Sequence, residues 1–164
     1  GLYLLLRFLP AIVPARANYP AFAGAYGVIR VAAVVVTALI DAALLLPVMG
    51  VPLNVGVAVR LAVGGLFVVF GSVVGKLRPN WFVGIRTPWT LSSKDSWVRT
   101  HRAGGWVFIV AGLAFMAAGV LHAPWALWTA STLLMGGVVC VVVYSYFVWR
   151  ADADKVPPAD TSPA

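Results

Sequence analysis

The chain has 164 residues, 62% of them hydrophobic and 10% charged, with mean hydropathy +0.94 and net charge +7. Soluble domains average about 45–50% apolar and about 25% charged residues, so the composition excludes a water-soluble domain and describes one small membrane protein. The basic residues gather at the ends of apolar stretches, as membrane topology requires, which speaks against direct nucleic-acid binding.

Gly1 is not an initiator methionine, and Leu2 to Leu6 read as the tail of a truncated upstream helix, so residues 1–9 are expected to be a helix remnant in a fragment or processed product. Arg7 follows the apolar run instead of preceding it, contrary to a secretory signal. Residues 10–27 read as a cytoplasmic or interfacial lead-in. Asn18 can cap a helix and Pro20 is tolerated in its first turn. Tyr19, Phe22 and Tyr26 then share a stripe, which suits headgroup anchoring; an exposed partner-binding face is the other reading.

A helix needs about 20 apolar residues to cross a bilayer. Residues 28–48, 53–74, 104–121 and 124–149 qualify. Their apolar runs do not alternate with period two, which excludes a barrel. The expected fold is an all-α membrane protein: a bundle of four complete transmembrane helices, spanning residues 28–149, with a structured basic cytoplasmic loop. The connections 49–52 and 122–123 carry no Lys or Arg, whereas the opposite side carries nearly all of them. The positive-inside rule puts that loop and both ends in the cytoplasm of a bacterial inner membrane protein. Residues 150–164 read as a disordered tail.

Asp41 and Arg60 lie inside the first two spans at equal distances from the hairpin centre. Equal offsets at about 1.5 Å per residue imply equal depth, so an intramembrane ion pair is expected. Three roles stay open: a register pin, a proton or ion relay, or an Arg60 that snorkels outward and leaves Asp41 unpaired. Gly105, Gly112 and Gly119 repeat every seven residues and make one face of the third span; Gly71 and Gly75 form a GxxxG step. Packing inside the bundle and homo-oligomer formation are both consistent with such faces. Cys140 stands alone, so neither a disulfide nor a CxxC site is available.

The polar island runs from residue 76 to 102 and holds six of the twelve Lys and Arg and three of the seven Trp. Pro79 and Pro88 bracket an ordered turn in which Gly84 permits an unusual backbone angle. Ser92, with Asp95 three residues on, reads as the cap of a helix that continues through Trp97 and His101 into the third span. Trp81, Trp89 and Trp97 are expected at headgroup level, and Lys76, Arg78, Arg86, Arg99 and Arg102 facing lipid phosphates or a partner's acids. Catalysis would need Asp95, His101 and Ser93 or Ser96 to converge. His122 lies across the membrane from His101. No metal set, phosphate loop or nucleophile motif is present, and neither an enzyme nor a cofactor is expected.

At this island KLRPNWFVGIRTPWTLSS followed by WVRTHRAGG resembles the signature of the SdpI family of bacterial membrane proteins. NYPAFAGAYGVIR upstream and VVYSYFVWR downstream are similar to that family's flanks, and the likeness extends over residues 1–150. The resemblance implies an immunity protein that protects a cell from its own secreted peptide toxin. It also implies signal transduction in which a small repressor is held at the membrane. Longer members carry further N-terminal spans. The motif covers Asn80, Trp81, Gly84, Arg86, Thr87, Pro88, Trp89, Thr90, Ser92, Trp97, Thr100, His101 and Arg102, and no catalytic residue is carried over. The expected partners are the lipid bilayer, a peptide toxin, a small cytoplasmic repressor and a second copy through the glycine face. The alternative is a small transporter or ion-coupled permease using Asp41 and Arg60.

Overall fold

The computed structural model describes residues 4, 8, 19–77, 79, 83–121 and 123–155. The expected helix remnant at 1–9 (Leu4 and Phe8 apart), the Asn18 cap, the Tyr19 and Phe22 side chains, Arg78, Asn80, Trp81, His122 and the end of the tail lie outside the described residues. The described helices are α1 (Tyr19–Val48), α2 (Val55–Val74), α3 (Pro88–Ser92), α4 (Lys94–Leu121) and α5 (Pro124–Ala151). α1, α2, α4 and α5 are long and apolar enough to cross a membrane.

Local chemistry sets the ends. α1 closes where Gly50 takes φ +85°. There Val51 N–H reaches Leu46 O and Gly50 N–H reaches Pro47 O, each at 3.1 Å, so the last carbonyls are satisfied. Asn54 caps α2 by accepting Val57 N–H at 3.1 Å. α3 starts with Pro88, and the Thr87 and Thr90 side chains cap each other's backbone N–H groups. α4 is capped by Ser93, whose hydroxyl accepts Ser96 N–H at 2.9 Å. This corrects the expected Ser92 cap: Ser92 ends α3 and donates to Pro88 O.

α1 packs on α2, α2 on α4 and α4 on α5, while α3 rests on α4 and α5. The bundle is thus open, a row of antiparallel neighbours. α1 runs unbroken from residue 19, within the expected lead-in, to the end of the first span. Tyr26 is 3% exposed, wedged against Val74 and Leu77, and so is neither a headgroup anchor nor an exposed face.

The α2–α4 seam is the tightest. A methyl group at Gly71 would lie 2.5 Å from Gly105 O, and one at Gly64 would lie 2.6 Å from Gly112 O. One seven-residue step further, Gly119 faces Arg60 and Val57. A repeat of seven keeps one face on one neighbour. Gly105, Gly112 and Gly119 therefore face α2, which is the packing reading of the glycine repeat. Phe67 and Phe70 stack edge-on or tilted against Phe108 and Phe115 beside the glycines.

The Asp41–Arg60 pair is not formed. The ion pair among the described residues is Asp95–Arg99. Equal depth is insufficient because every Cα–Cβ bond tilts toward its own helix N-terminus. On antiparallel helices the two side chains diverge. Arg60 lies on the α4 side of α2, with its guanidinium folded back toward Gly56 at the hairpin end. Its Nε has no hydrogen-bond partner. Asp41 is exposed on α1, where an uncompensated carboxylate costs about 3 kcal/mol near mid-bilayer.

Candidate functional site

The residues between α2 and α4 fold into a polar knot against the same ends of α4 and α5. Gly84 adopts φ +126°, a region where a side chain is strained, and its α-hydrogen faces the His101 ring. That turn aims Ile85 N–H at His101 Nε2, 3.0 Å away. Nε2 is thus the acceptor, so Nδ1 carries the hydrogen and donates to Trp97 O at 2.8 Å. Both ring nitrogens of a wholly buried imidazole are engaged, and the ring is held neutral. Trp97 stacks on His101 with centroids 4.0 Å apart and donates Nε1–H to Leu77 O at 2.9 Å. One tryptophan therefore ties the start of α4 to the end of α2.

Thr90 is 1% exposed and donates its hydroxyl to Ile85 O at 2.8 Å, holding α3 onto the turn. Ile85 itself lands on Gly104 of α4, on the same face that Val141 of α5 approaches. Three further bonds reach α5. Trp89 donates its indole N–H to Ser145 Oγ, Ser96 donates to Ser145 O at 2.9 Å, and Ser93 donates to Asp152. Trp89 also meets Tyr146 edge to face at 5.6 Å. Buried polar groups are stabilising only when satisfied, and most of this set is. Thr100 Oγ1 is buried without a hydrogen-bond partner.

The expected site residues thus divide into two layers. Trp97 and His101 are fully buried and Thr90 nearly so, and all three position the loop. The headgroup role expected for Trp97 is corrected: it is wholly buried, stacked on His101, and Leu77 O takes its N–H. Thr87, Trp89 and Ser92 are half-buried. Lys76, Arg86, Arg99 and Arg102 are exposed and form the basic outer layer together with Lys94. Arg99 is engaged by Asp95 at 2.9 Å.

The groups considered for catalysis do not converge. Asp95 goes to Arg99, His101 to Ile85 and Trp97, Ser93 to Asp152, and Ser96 to Ser145. Among the described residues no His, Cys, Asp or Glu cluster has metal-binding geometry. Asp152, past the end of α5, has a displaced pKa. The Ser93 hydroxyl, and next the Asp154 N–H, hold its carboxyl below the usual range.

Sequence reasoning missed Ser145, Asp152 and the carbonyls of Leu77 and Ile85. Ser145 carried a weak signal as the one serine in VVVYSYFV, but nothing local tied it to Trp89, 56 residues away.

Residues 76–148 match the SdpI/YfhL protein family. These residues run from the knot into α5, and over them the chain is similar to that family. The Immunity protein SdpI of Bacillus subtilis (strain 168) is 22% identical over 102 residues, which cover 62% of this chain and 49% of that protein. The chain thus spans about half the length of this curated relative. No solved structure matches. The SdpI/YfhL segment contains every described member of the knot except Asp152, so the family match and the built site coincide.

Proposed function

We propose that this chain is an SdpI-like immunity protein of the bacterial cytoplasmic membrane that protects its cell against a secreted antimicrobial peptide. The observation that carries the reading is the coincidence of residues 76–148 with the knot that fixes the ends of α2, α4 and α5. The relative named as an immunity protein supports it. In this reading the loop and both termini of the described region face the cytoplasm, as the uncharged 49–52 connection and the basic 76–102 segment favour. Lys76, Arg86, Arg99 and Arg102 then present a basic surface to a small cytoplasmic repressor, with long-range attraction to its acidic groups.

Two measurements test this. Expression in Bacillus cells lacking Immunity protein SdpI and challenged with the peptide toxin should raise survival; killing equal to that of empty-vector cells overturns the immunity reading. Arg86→Glu and Arg102→Glu should reduce co-purification of the repressor without changing membrane insertion, and unchanged recruitment reduces the basic surface to a topology anchor.

A further inference from the structure

α4 carries one exposed stripe, Arg102, Trp106 and Val110, spaced about one turn apart. Trp106 lies two residues past Gly104, about 200° round the helix at 3.6 residues per turn, and Gly104 is where Ile85 of the loop packs. The stripe is therefore on the side of the row away from the loop. It is not an edge of the row, since α2 and α5 flank α4 on either hand. Trp106, 66% exposed, stands between two grooves. The first, of about 200 Å³, lies against α2 and runs from Arg102, Ser72 and Gly75 to Ile109. The second, of about 430 Å³, lies against α5 and is lined by Val107, Val110, Leu133 and Gly136.

Polarity changes along the stripe in a fixed order. The Arg102 guanidinium is exposed and has neither an ion pair nor a hydrogen bond among the described residues. A methyl group at Gly75 would lie 3.6 Å from Arg102 Cα, so Lys76, the next residue and exposed, stands at the same level. One turn deeper, about 6 Å at 1.5 Å per residue, comes Trp106, and beyond it Ile109 and Val110. The order cation, indole, aliphatic matches the phosphate, glycerol and acyl levels of a phospholipid. Tryptophan favours the middle level, and basic pockets between spans on the cytoplasmic side recognise anionic headgroups. Two grooves parted by one indole suit two chains joined at one glycerol. A second copy packed on the same stripe in the same orientation would instead set Arg102 against Arg102.

We infer that this stripe binds one anionic phospholipid of the loop-side leaflet, its phosphate at Arg102 and Lys76 and its two acyl chains on either side of Trp106, one in each groove. The site stands whether or not the chain confers immunity. A lipid phosphate and a cytoplasmic partner's acid compete for Arg102, so the test contains lipid alone.

The test uses the full chain in neutral detergent, with bound lipid counted by native mass spectrometry. The probes are phosphatidylglycerol, phosphatidylethanolamine, single-chained lyso-phosphatidylglycerol and inorganic phosphate. One phosphatidylglycerol should be held about fivefold more tightly than phosphatidylethanolamine, the effect of one basic residue near a lipid surface. The lyso-lipid should bind about tenfold more weakly, because it buries one chain instead of two. Inorganic phosphate should not be retained, which separates a lipid from a free anion. Arg102→Gln should erase the preference and Arg102→Lys should keep it, which separates loss of charge from loss of fold. A Cβ at Gly136 meets nothing within 4 Å, so Gly136→Leu fills the α5-side groove without disturbing the helices. It should weaken phosphatidylglycerol and leave the lyso-lipid unchanged. Equal retention of the two diacyl lipids, a preference that survives Arg102→Gln, inorganic phosphate held as tightly as lipid, or unaltered affinity in Gly136→Leu overturns the inference. So does the absence of saturable lipid, as when another helix covers the stripe. A high yield of copy-to-copy disulfide in a Trp106→Cys, Cys140→Ala chain assigns the stripe to a second copy and overturns it too.

Discussion

Gly84 and His101 are matched residues: the glycine's bare Cα leaves the space that the imidazole ring occupies, and the same turn delivers Ile85 N–H to Nε2 at 3.0 Å. Gly84→Ala adds a methyl group that collides with Nε2 at a φ of +126°. The expected loss is about 2–4 kcal/mol from overpacking plus backbone strain. His101→Ala leaves Ile85 N–H unpaired and removes a stacked ring, for about 2–3 kcal/mol. The double variant should lose less than the sum, because the collision goes when the ring goes. Thermal unfolding in detergent reads all three, and strict additivity would separate the two residues.

The glycines of α4 and α5 differ by what lies opposite. Gly112→Leu drives a side chain into Gly64 O, 2.6 Å from the first added carbon, and into Val68. It should separate α2 from α4 and cost 3 kcal/mol or more, on the order of the larger overpacking values. A Cβ at Gly136 meets nothing within 4 Å. Gly136→Ala should therefore be neutral or stabilise by up to about 1 kcal/mol, through helix propensity. Detergent melting curves that placed the two variants together would contradict the seam.

Trp89 bonds Ser145, and this holds α3 to α5. Ser145→Ala removes the acceptor from a half-buried indole N–H and should cost about 1–2 kcal/mol. It should also speed proteolytic cutting within 83–93, since α3 is a single short helix whose packing partners are α4 and α5. Trp89→Phe keeps most of the ring and the Tyr146 contact and should show the smaller change. Limited proteolysis in membranes separates the two; an unchanged cutting rate in Ser145→Ala would mean that α3 is held by other contacts.

The spans were legible because lipid leaves a backbone few options: an apolar run near 20 residues must be a helix, although α1 and α4 begin well ahead of the expected spans. Gly84 was legible as a turn because no other residue takes its angle cheaply. Azimuth was not legible. Counting residues gives the depth of Asp41 and Arg60, but which neighbour each faces depends on how α1 and α4 flank α2, and no local pattern encodes that. Trp97 was misread for a related reason. An aromatic beside a span ordinarily sits among headgroups, whereas here Trp97 is wholly buried and the carbonyl of Leu77, just past α2, accepts its N–H. Arg86, Arg99 and Arg102 are exposed, as their charge leads one to expect, and Arg99 also meets Asp95.

Ser93 and Asp152 bring the polar loop and the end of α5 to one point, and the contact makes stability depend on pH. The Ser93 hydroxyl donates to the carboxylate and favours its charged form, so the folded-state pKa lies below the unfolded value of about 3.9. A depressed carboxylate contributes stability above the unfolded pKa and loses it as pH falls through the folded pKa. The difference in unfolding midpoint between wild type and Asp152→Asn should therefore be constant at neutral pH and shrink once pH drops below about 4. Ser93→Ala should abolish most of the same pH dependence while also weakening the α4 cap. A difference that stays constant down to pH 2 would mean that the carboxylate's charge plays no part in joining the loop to α5.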